Sequence, residues 1–402
     1  METNTFLKIG KHFHTAYGGN DIDFVDQLNY QYSTGLLFIF ISIIGFRQYV
    51  GKPIQCWVPQ QFTKSWEEYA ENLCWIQSTY KLLDNEDIPE DDFEIHSLKY
   101  ISYYQWVAIV MGGQAIMSYL PHLIWRLWSK RLPILLKTAR EASIPDREMR
   151  AKAIQCIVTK LEEGTEAQIR YRRGEPGIFT RYVFFCFNPS TRLTILFLFV
   201  RTLFILNNIG QIYLMKNFIK TNNTWFGIKV ISDLLKGYEW KDYGNFPRIT
   251  YCTINVRKFG QIKQASHTFQ CVLPINHFVE KIYVFLWLWF TLLAVLTTLN
   301  TLQWGLIVCL PWKQTQFIQR YLKALKLISN SEGRECQRFV ARNLGCDGIF
   351  VLQAVSKVSS DLIALDVTAT LWTNYRQAKL NGAEDDITRY METSLKTNLN
   401  IV

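Results

Sequence analysis

Nine cysteines are the residues of this chain best placed to do covalent chemistry. Four of them form two similarly spaced pairs, Cys56 with Cys74 and Cys252 with Cys271. The others are Cys156, Cys186, Cys309, Cys336 and Cys346. Two matched pairs read as a disulfide framework in an oxidising compartment. Four thiols allow three pairings, and spacing does not choose among them. Asn222-Asn223-Thr224 is the one N-glycosylation sequon and makes Asn222 a glycosylation candidate in the same segment as the second pair. Other chemistry is missing from the pattern. No H-E-x-x-H, G-x-S-x-G, P-loop or dinucleotide fingerprint occurs, no C-x-x-C exists, and the six histidines are scattered. The reading is therefore no enzyme, no catalytic residue, no metal and no cofactor.

The elements that must position these thiols are four nearly uncharged runs. Twenty uncharged residues lie between Asp26 and Arg47, 26 between Lys99 and Arg126, and 31 between Lys281 and Lys313. A fourth run of 23 between Arg192 and Lys216 is broken only by Arg201. About 20 mostly apolar residues cross a bilayer core of about 30 Å as a helix. Lipid offers no partner to a backbone N–H or C=O, so all four runs are expected to be helices. No secretory signal peptide is visible, so the first span is expected to act as the insertion signal.

Four spans place both termini on one side and the first and third loops on the other. The cysteine pairs and Asn222 put those two loops outside. Charge agrees in part. The middle loop carries fourteen Lys/Arg and the tail from Lys313 twelve, whereas the first loop has four against ten acidic residues. The third loop breaks the rule with ten basic against four acidic, as long loops do. The net charge of +10 is thus topological and implies no nucleic-acid partner. The acid cluster from Asp84 to Glu94 has two readings, a solvated face or a charge that pairs with the third loop or biases ions near a pore mouth.

Within the spans, Gly35, Ser42 and Gly45 share one helical face, which is expected to pack inside the bundle, with lining a wide pore as the second reading. Pro121 is expected to kink span two. Arg201 is the one intramembrane charge. It either faces a protein interior or cavity, or snorkels to the headgroups. Asn207 and Asn208 follow it and are able to pair across helices. The polar N-terminus holds His12, His14, Asp21, Asp23 and Asp26, suited to water in a pore; the histidines titrate near neutrality. In the middle loop, "REMRAKAIQCIVTKLEEG" reads as an amphipathic helix ending at Gly164, and the tail repeats the pattern. Loop and tail are expected to build one folded cytoplasmic domain, with a loose polar end from Asn381.

"YYQWV", formed by Tyr103, Tyr104, Gln105, Trp106 and Val107, opens span two. An aromatic belt is a sufficient physical reason for it. It also resembles the signature of the innexins, the invertebrate gap-junction proteins. "DQLNYQYST" before span one, "PIQCWVPQQF" around Cys56, "FPRITYC" up to Cys252, "EKIYVFLWLW" entering span four and "LGCDGIFVL" in the tail resemble innexin motifs in the same order. The resemblance implies an all-α membrane protein: a four-transmembrane-helix subunit of a ring-shaped large-pore channel. A small disulfide-stapled extracellular region and a helical cytoplasmic domain complete it. Its segments are a cytoplasmic pore segment 1–26, spans 27–50, 103–128, 193–215 and 282–310, outer loops 51–102 and 216–281, cytoplasmic loop 129–192 and cytoplasmic tail 311–402. The disulfides would run crosswise, Cys56–Cys271 and Cys74–Cys252. The N-terminal segment would enter the pore, making Glu2, Lys8, Lys11, His12 and His14 pore candidates. Such subunits assemble in the plasma membrane, in contact with lipid, as a homo-octamer or with other innexins. The ring docks with the opposing hemichannel of an adjacent cell to pass ions and small molecules. The alternative is an unpaired hemichannel.

Overall fold

The computed structural model describes residues 22–81, 100–143, 146–173, 191–219, 246–256, 265–329 and 332–399, and four positions between 227 and 236. Glu2, Lys8, Lys11, His12, His14, the acid cluster and Asn222 lie outside the described residues. In chain order the elements are α1 (Phe24–Tyr49), β1 (Gln55–Trp57), α2 (Lys64–Gln77), β2 (Thr79–Tyr80), β3 (Tyr100–Ile101) and α3 (Tyr103–Trp128). Then come α4 (Arg131–Glu141), α5 (Arg147–Arg173), α6 (Arg192–Ile219), β4 (Ile249–Val256), β5 (Ala265–Val272) and α7 (Pro274–Cys309). The tail adds α8 (Pro311–Ala324), α9 (Gly333–Phe339), α10 (Gly345–Val358) and α11 (Asp361–Leu399).

Helices α1, α3, α6 and α7 are long and apolar enough to cross a membrane. They leave Ile39, Phe46, Ile109, Ile116, Leu206 and Leu299 exposed on the single chain. Such side chains belong against lipid or a neighbouring copy. Contacts divide the chain into two units, and the boundaries fall within these helices.

The first unit comprises residues 28–121 and 203–298. It contains a five-stranded antiparallel sheet in the order β1-β5-β4-β2-β3. The central pair runs in register from Ile249 opposite Val272 to Val256 opposite Ala265. Along β4 the buried residues Thr250, Cys252 and Ile254 alternate with more open ones, the period expected of a sheet with one covered face. The apolar core joins sheet to helices through Leu37, Cys74, Tyr104, Met111, Tyr283 and Phe290.

The second unit comprises the start of α1 with residues 122–202 and the chain from 299 onward. It is wholly helical among the described residues. Its core includes Leu136, Val158, Phe197, Trp304, Phe350 and Trp372. Pro311 starts α8, where its missing N–H breaks no helical bond. Gly345 turns the chain into α10 at φ 61°, a backbone conformation that suits glycine.

Four expectations change. No atom lies within 4 Å of a Cβ built on Gly35 or Gly45, and Ser42 is exposed, so the small face of α1 is open on the single chain instead of packed in the bundle. Helix α5 runs through Gly164 to Arg173, because Glu, Ala and Gln on either side favour helix. The polar end of the tail is helical to Leu399, since no proline interrupts its good helix formers. Asp23 and Asp26 are not water-facing: their side chains are 8% and 15% exposed and pair with Arg201.

Candidate functional site

The sheet unit brings the four matched cysteines together. Cys56 on β1 stands directly opposite Cys271 on β5 and is bonded to it. Cys74 on α2 is bonded to Cys252 on β4. The pairs are 215 and 178 residues apart in sequence, so each bridge joins the first loop to the third. The sulfurs of Cys56, Cys74 and Cys271 lie within 4.8 Å of one another, so the bridges sit side by side in the core. All four sulfurs are spent in bridges, which leaves no thiolate for a metal. Long closed loops of this kind stabilise by typically about 2–4 kcal/mol each, in the chain-entropy account.

The signature at the start of α3 is the joint between that sheet region and the membrane helix. Tyr104 and Val107 are fully buried, whereas Trp106 is 55% exposed. The Tyr104 ring packs on Trp75 with centroids 4.8 Å apart, next in sequence to bridged Cys74. Gln105 Nε2 donates to the carbonyl oxygen of Trp75, at the end of α2. The Gln105 carbonyl accepts from Gln48 near the end of α1. Tyr103 meets Phe218 and Phe246 edge-on. Of the five residues, Trp106 fits an interfacial aromatic, Val107 is buried in the core, and Tyr103, Tyr104 and Gln105 tie α3 to α6, α2 and α1.

Deeper in this unit the helices are pinned by polar side chains. Asn208 Nδ2 donates to Asn29 Oδ1 at 2.7 Å, and Asn29 Nδ2 donates to Thr297 Oγ1 at 2.8 Å. Trp289 Nε1 donates to Ser33 Oγ at 2.9 Å. Asparagine pairing across helices was legible in the sequence; its partners on α1 and α7 were not.

The helical unit holds the one intramembrane charge. Arg201 on α6 is 1% exposed, so it faces the protein interior and does not snorkel. Its Nη2 donates to Asp23 Oδ2 at 2.5 Å and to Asp26 Oδ2 at 2.8 Å, and its guanidinium lies 4.5 Å over the Phe197 ring. Trp304 Nε1 on α7 donates to the same Asp23 oxygen. Lys357 in the last turn of α10 donates to Asp23 Oδ1 at 2.9 Å. Burial alone would raise the Asp23 carboxyl, but the charge of Arg201 and the bonds from Lys357 and Trp304 outweigh it and hold it below its ordinary value. Sequence reasoning missed Lys357, Trp304 and the pairing role of Asp23. The available signal was Arg201 itself, since a lone intramembrane cation demands an acidic partner, and Asp23 and Asp26 flank a span.

A second carboxylate anchors the same unit. Asp347, in the first turn of α10, accepts from the Leu193 and Thr194 N–H groups at 3.0 and 2.9 Å and from Thr194 Oγ1 at 2.7 Å. It thereby caps the open N-terminus of α6 from another helix. Burial pushes its carboxyl up, against the pull of those three donors.

Four apolar helices, joined in pairs by loops that fold into one disulfide-closed sheet, define a four-span membrane protein. The family model for innexins matches residues 22–375. Innexin unc-9 of Caenorhabditis elegans is 36% identical over 369 residues, covering 91% of this chain and 95% of that protein. Innexin-11 of the same organism is 32% identical, covering 92% and 82%, and innexin eat-5 is 32% identical, covering 88% of each. The chain belongs to the innexin family and is a subunit of a gap-junction channel.

Proposed function

We propose that copies of this chain form a ring around an aqueous pore in the plasma membrane, an octamer by family resemblance, alone or with other innexins. The ring docks with its counterpart on an adjacent cell. Residues 1–26, 129–192 and 311–402 are cytoplasmic, and the loops 51–102 and 216–281 are outside. The observation that carries this sidedness is the pair of side-by-side bridges in the sheet, because structural disulfides persist in oxidising compartments. A stapled sheet also presents a docking surface already ordered, which lowers the cost of association.

The segment from Glu2 to His14 lines the pore in this reading, and Asn222 is the glycosylation candidate of the third loop. Expression in paired cells tests the assembly: junctional conductance should appear between cells and survive Asn222→Gln. Currents confined to single cells would make the chain a hemichannel subunit instead. Deleting Glu2 to Lys11 should change unitary conductance or the size cut-off for dyes; unchanged permeation removes that segment from the pore.

A further inference from the structure

Helices α3 and α7 are each followed at once by an amphipathic helix. Two residues separate Trp128 from α4, and one separates Cys309 from α8. Each of these helices therefore begins where a span leaves the bilayer. Leu310, between α7 and α8, is extended at φ −94° and ψ 106°, so α8 leaves the axis of α7. Ile318, Tyr321 and Leu322 of α8 are buried in the apolar core of the helical unit. Trp312, Gln316, Arg320 and Lys323 recur at intervals of three and four and form the opposite, exposed face. Trp312 is 75% exposed. Lys313 follows it, and Lys326 lies just past the end of the helix. The exit of α3 repeats the arrangement: Arg126 and Lys130 are exposed on either side of Trp128, itself 65% exposed.

Counter-charge sets these cations apart. Elsewhere in the same unit, cations at the surface meet acids of the chain. Lys152 pairs with Glu148 at 2.6 Å, Lys160 with Glu163 at 2.8 Å, Arg150 with Asp366 at 2.5 Å and Arg376 with Glu332 at 2.5 Å. Around the two exits the sequence supplies none: no Asp or Glu occurs between Glu94 and Glu141, nor between Glu280 and Glu332. Glu141 faces Lys137 at 3.9 Å. Asp361 feels the charge of Arg320, but its Oδ1 accepts from Tyr321 and Ser356. Four Lys/Arg beside a span, with an indole at the membrane end, are complementary to anionic lipid. The indole sits at headgroup level, and Lys and Arg donate to phosphate and carboxylate oxygens. A topological excess of cations requires no particular face. Here Trp312, Arg320 and Lys323 share one face of a folded helix whose other face is fixed in the core.

We propose that the outward face of α8, with Trp312, Lys313, Arg320 and Lys323, docks on anionic phospholipid headgroups of the surrounding bilayer and ties the helical unit to the membrane surface. The inference rests on the cytoplasmic placement of the tail for which leaflet is bound, but not for the docking itself. From Trp312 to Lys323 the face runs about 17 Å, enough to span more than one headgroup.

Photolabelling of the full chain in phosphatidylcholine bilayers tests this. The bilayers carry a trace of phosphatidylserine or of phosphatidylcholine with a diazirine near the glycerol end of one acyl chain, so that the headgroup is unaltered. Adducts are mapped to peptides by mass spectrometry. The serine lipid should label the peptide holding Trp312 and Lys313 at least about fivefold more than the choline lipid, the effect of one Lys or Arg near an anionic surface. The preference should shrink in about 1 M salt, where the Debye length is about 3 Å. Lys313→Gln, Arg320→Gln and Lys323→Gln together should bring the ratio near one. The exchange Lys313→Arg, Arg320→Lys and Lys323→Arg should keep it. Removing three charges from α5, by Arg147→Gln, Lys152→Gln and Lys160→Gln, should leave it unchanged. Equal labelling by the two lipids in the original chain overturns the proposal, and so does an equal loss in the α5 variant. Absence of adducts from both lipids overturns it too, and amine cross-links joining Lys323 of two chains would then give the face to a second copy. The comparison of lipids needs no variant, so it decides the question even where a triple replacement disturbs folding. A failure of the sidedness shows separately, as cleavage of the tail by protease added to intact cells, whatever the lipids do.

Discussion

The two units stabilise buried sulfur and buried charge in opposite ways. In the sheet unit, Cys56, Cys74, Cys252 and Cys271 are joined covalently, and a continuous antiparallel ladder surrounds them. In the helical unit, Cys156, Cys336 and Cys346 form no disulfide, and order comes from an apolar core and a carboxylate shared among Arg201, Trp304 and Lys357. A covalent bridge is all or nothing on the timescale of a channel. A set of hydrogen-bonded charges can lose one member and keep the rest. The contrast separates a region held by bonds that do not exchange from one held by bonds that exchange singly.

The largest expected effect breaks the covalent side. Cys56→Ser or Cys271→Ser should abolish junctional conductance, and the double replacement should be no worse than either single one. Additive losses in paired-cell recordings would argue that the two thiols act separately. Next comes the buried cation. Arg201→Met leaves two carboxylates facing an apolar wall and should cost about 3–5 kcal/mol, read as lost thermal stability of detergent-solubilised protein. Adding Asp23→Leu should recover part of that loss, which neither disulfide variant can do.

A smaller effect tests the joint at the top of α3. Gln105→Leu removes its donation to Trp75 and should cost about 1–3 kcal/mol, seen as a lower melting temperature with the disulfides intact by mass. The smallest effect is a null in pH. Because the folded-state carboxyl of Asp23 is held low, its contribution is fully present above the unfolded value near 3.9 and is lost only as pH falls through the lower folded value. Melting temperatures of the original chain and of Asp23→Asn should therefore differ by a constant amount between about pH 6 and 8. A gap that closes on mild acidification would mean that Asp23 titrates in that range.

Much of this was legible in residues alone, and the gaps have physical causes. The four spans announce themselves because lipid admits only long apolar helices, and the innexin motifs sit in order along the chain. The sheet was not foreseen, although "ITYCTINV" is rich in β-branched residues, because β1, β2 and β3 are only two or three residues long and owe their form to β4 and β5. Asp23 looked like a solvated N-terminal acid because its partners lie 178, 281 and 334 residues away. Asp347 caps a helix through Leu193, 154 residues earlier, so no local pattern contains it. The open face at Gly35 and Gly45 misled for the reverse reason: small residues mark a close approach without saying whether the neighbour is within the chain.

The crosswise bridges also decide what a protease can release. Any cut between Cys74 and Cys252 separates two halves that each carry one sulfur of both pairs. Nicked molecules should therefore migrate as intact chains on a non-reducing gel and fall into two pieces only after thiol treatment. In a cell, clipping the middle loop would leave both halves of the subunit held together at the membrane.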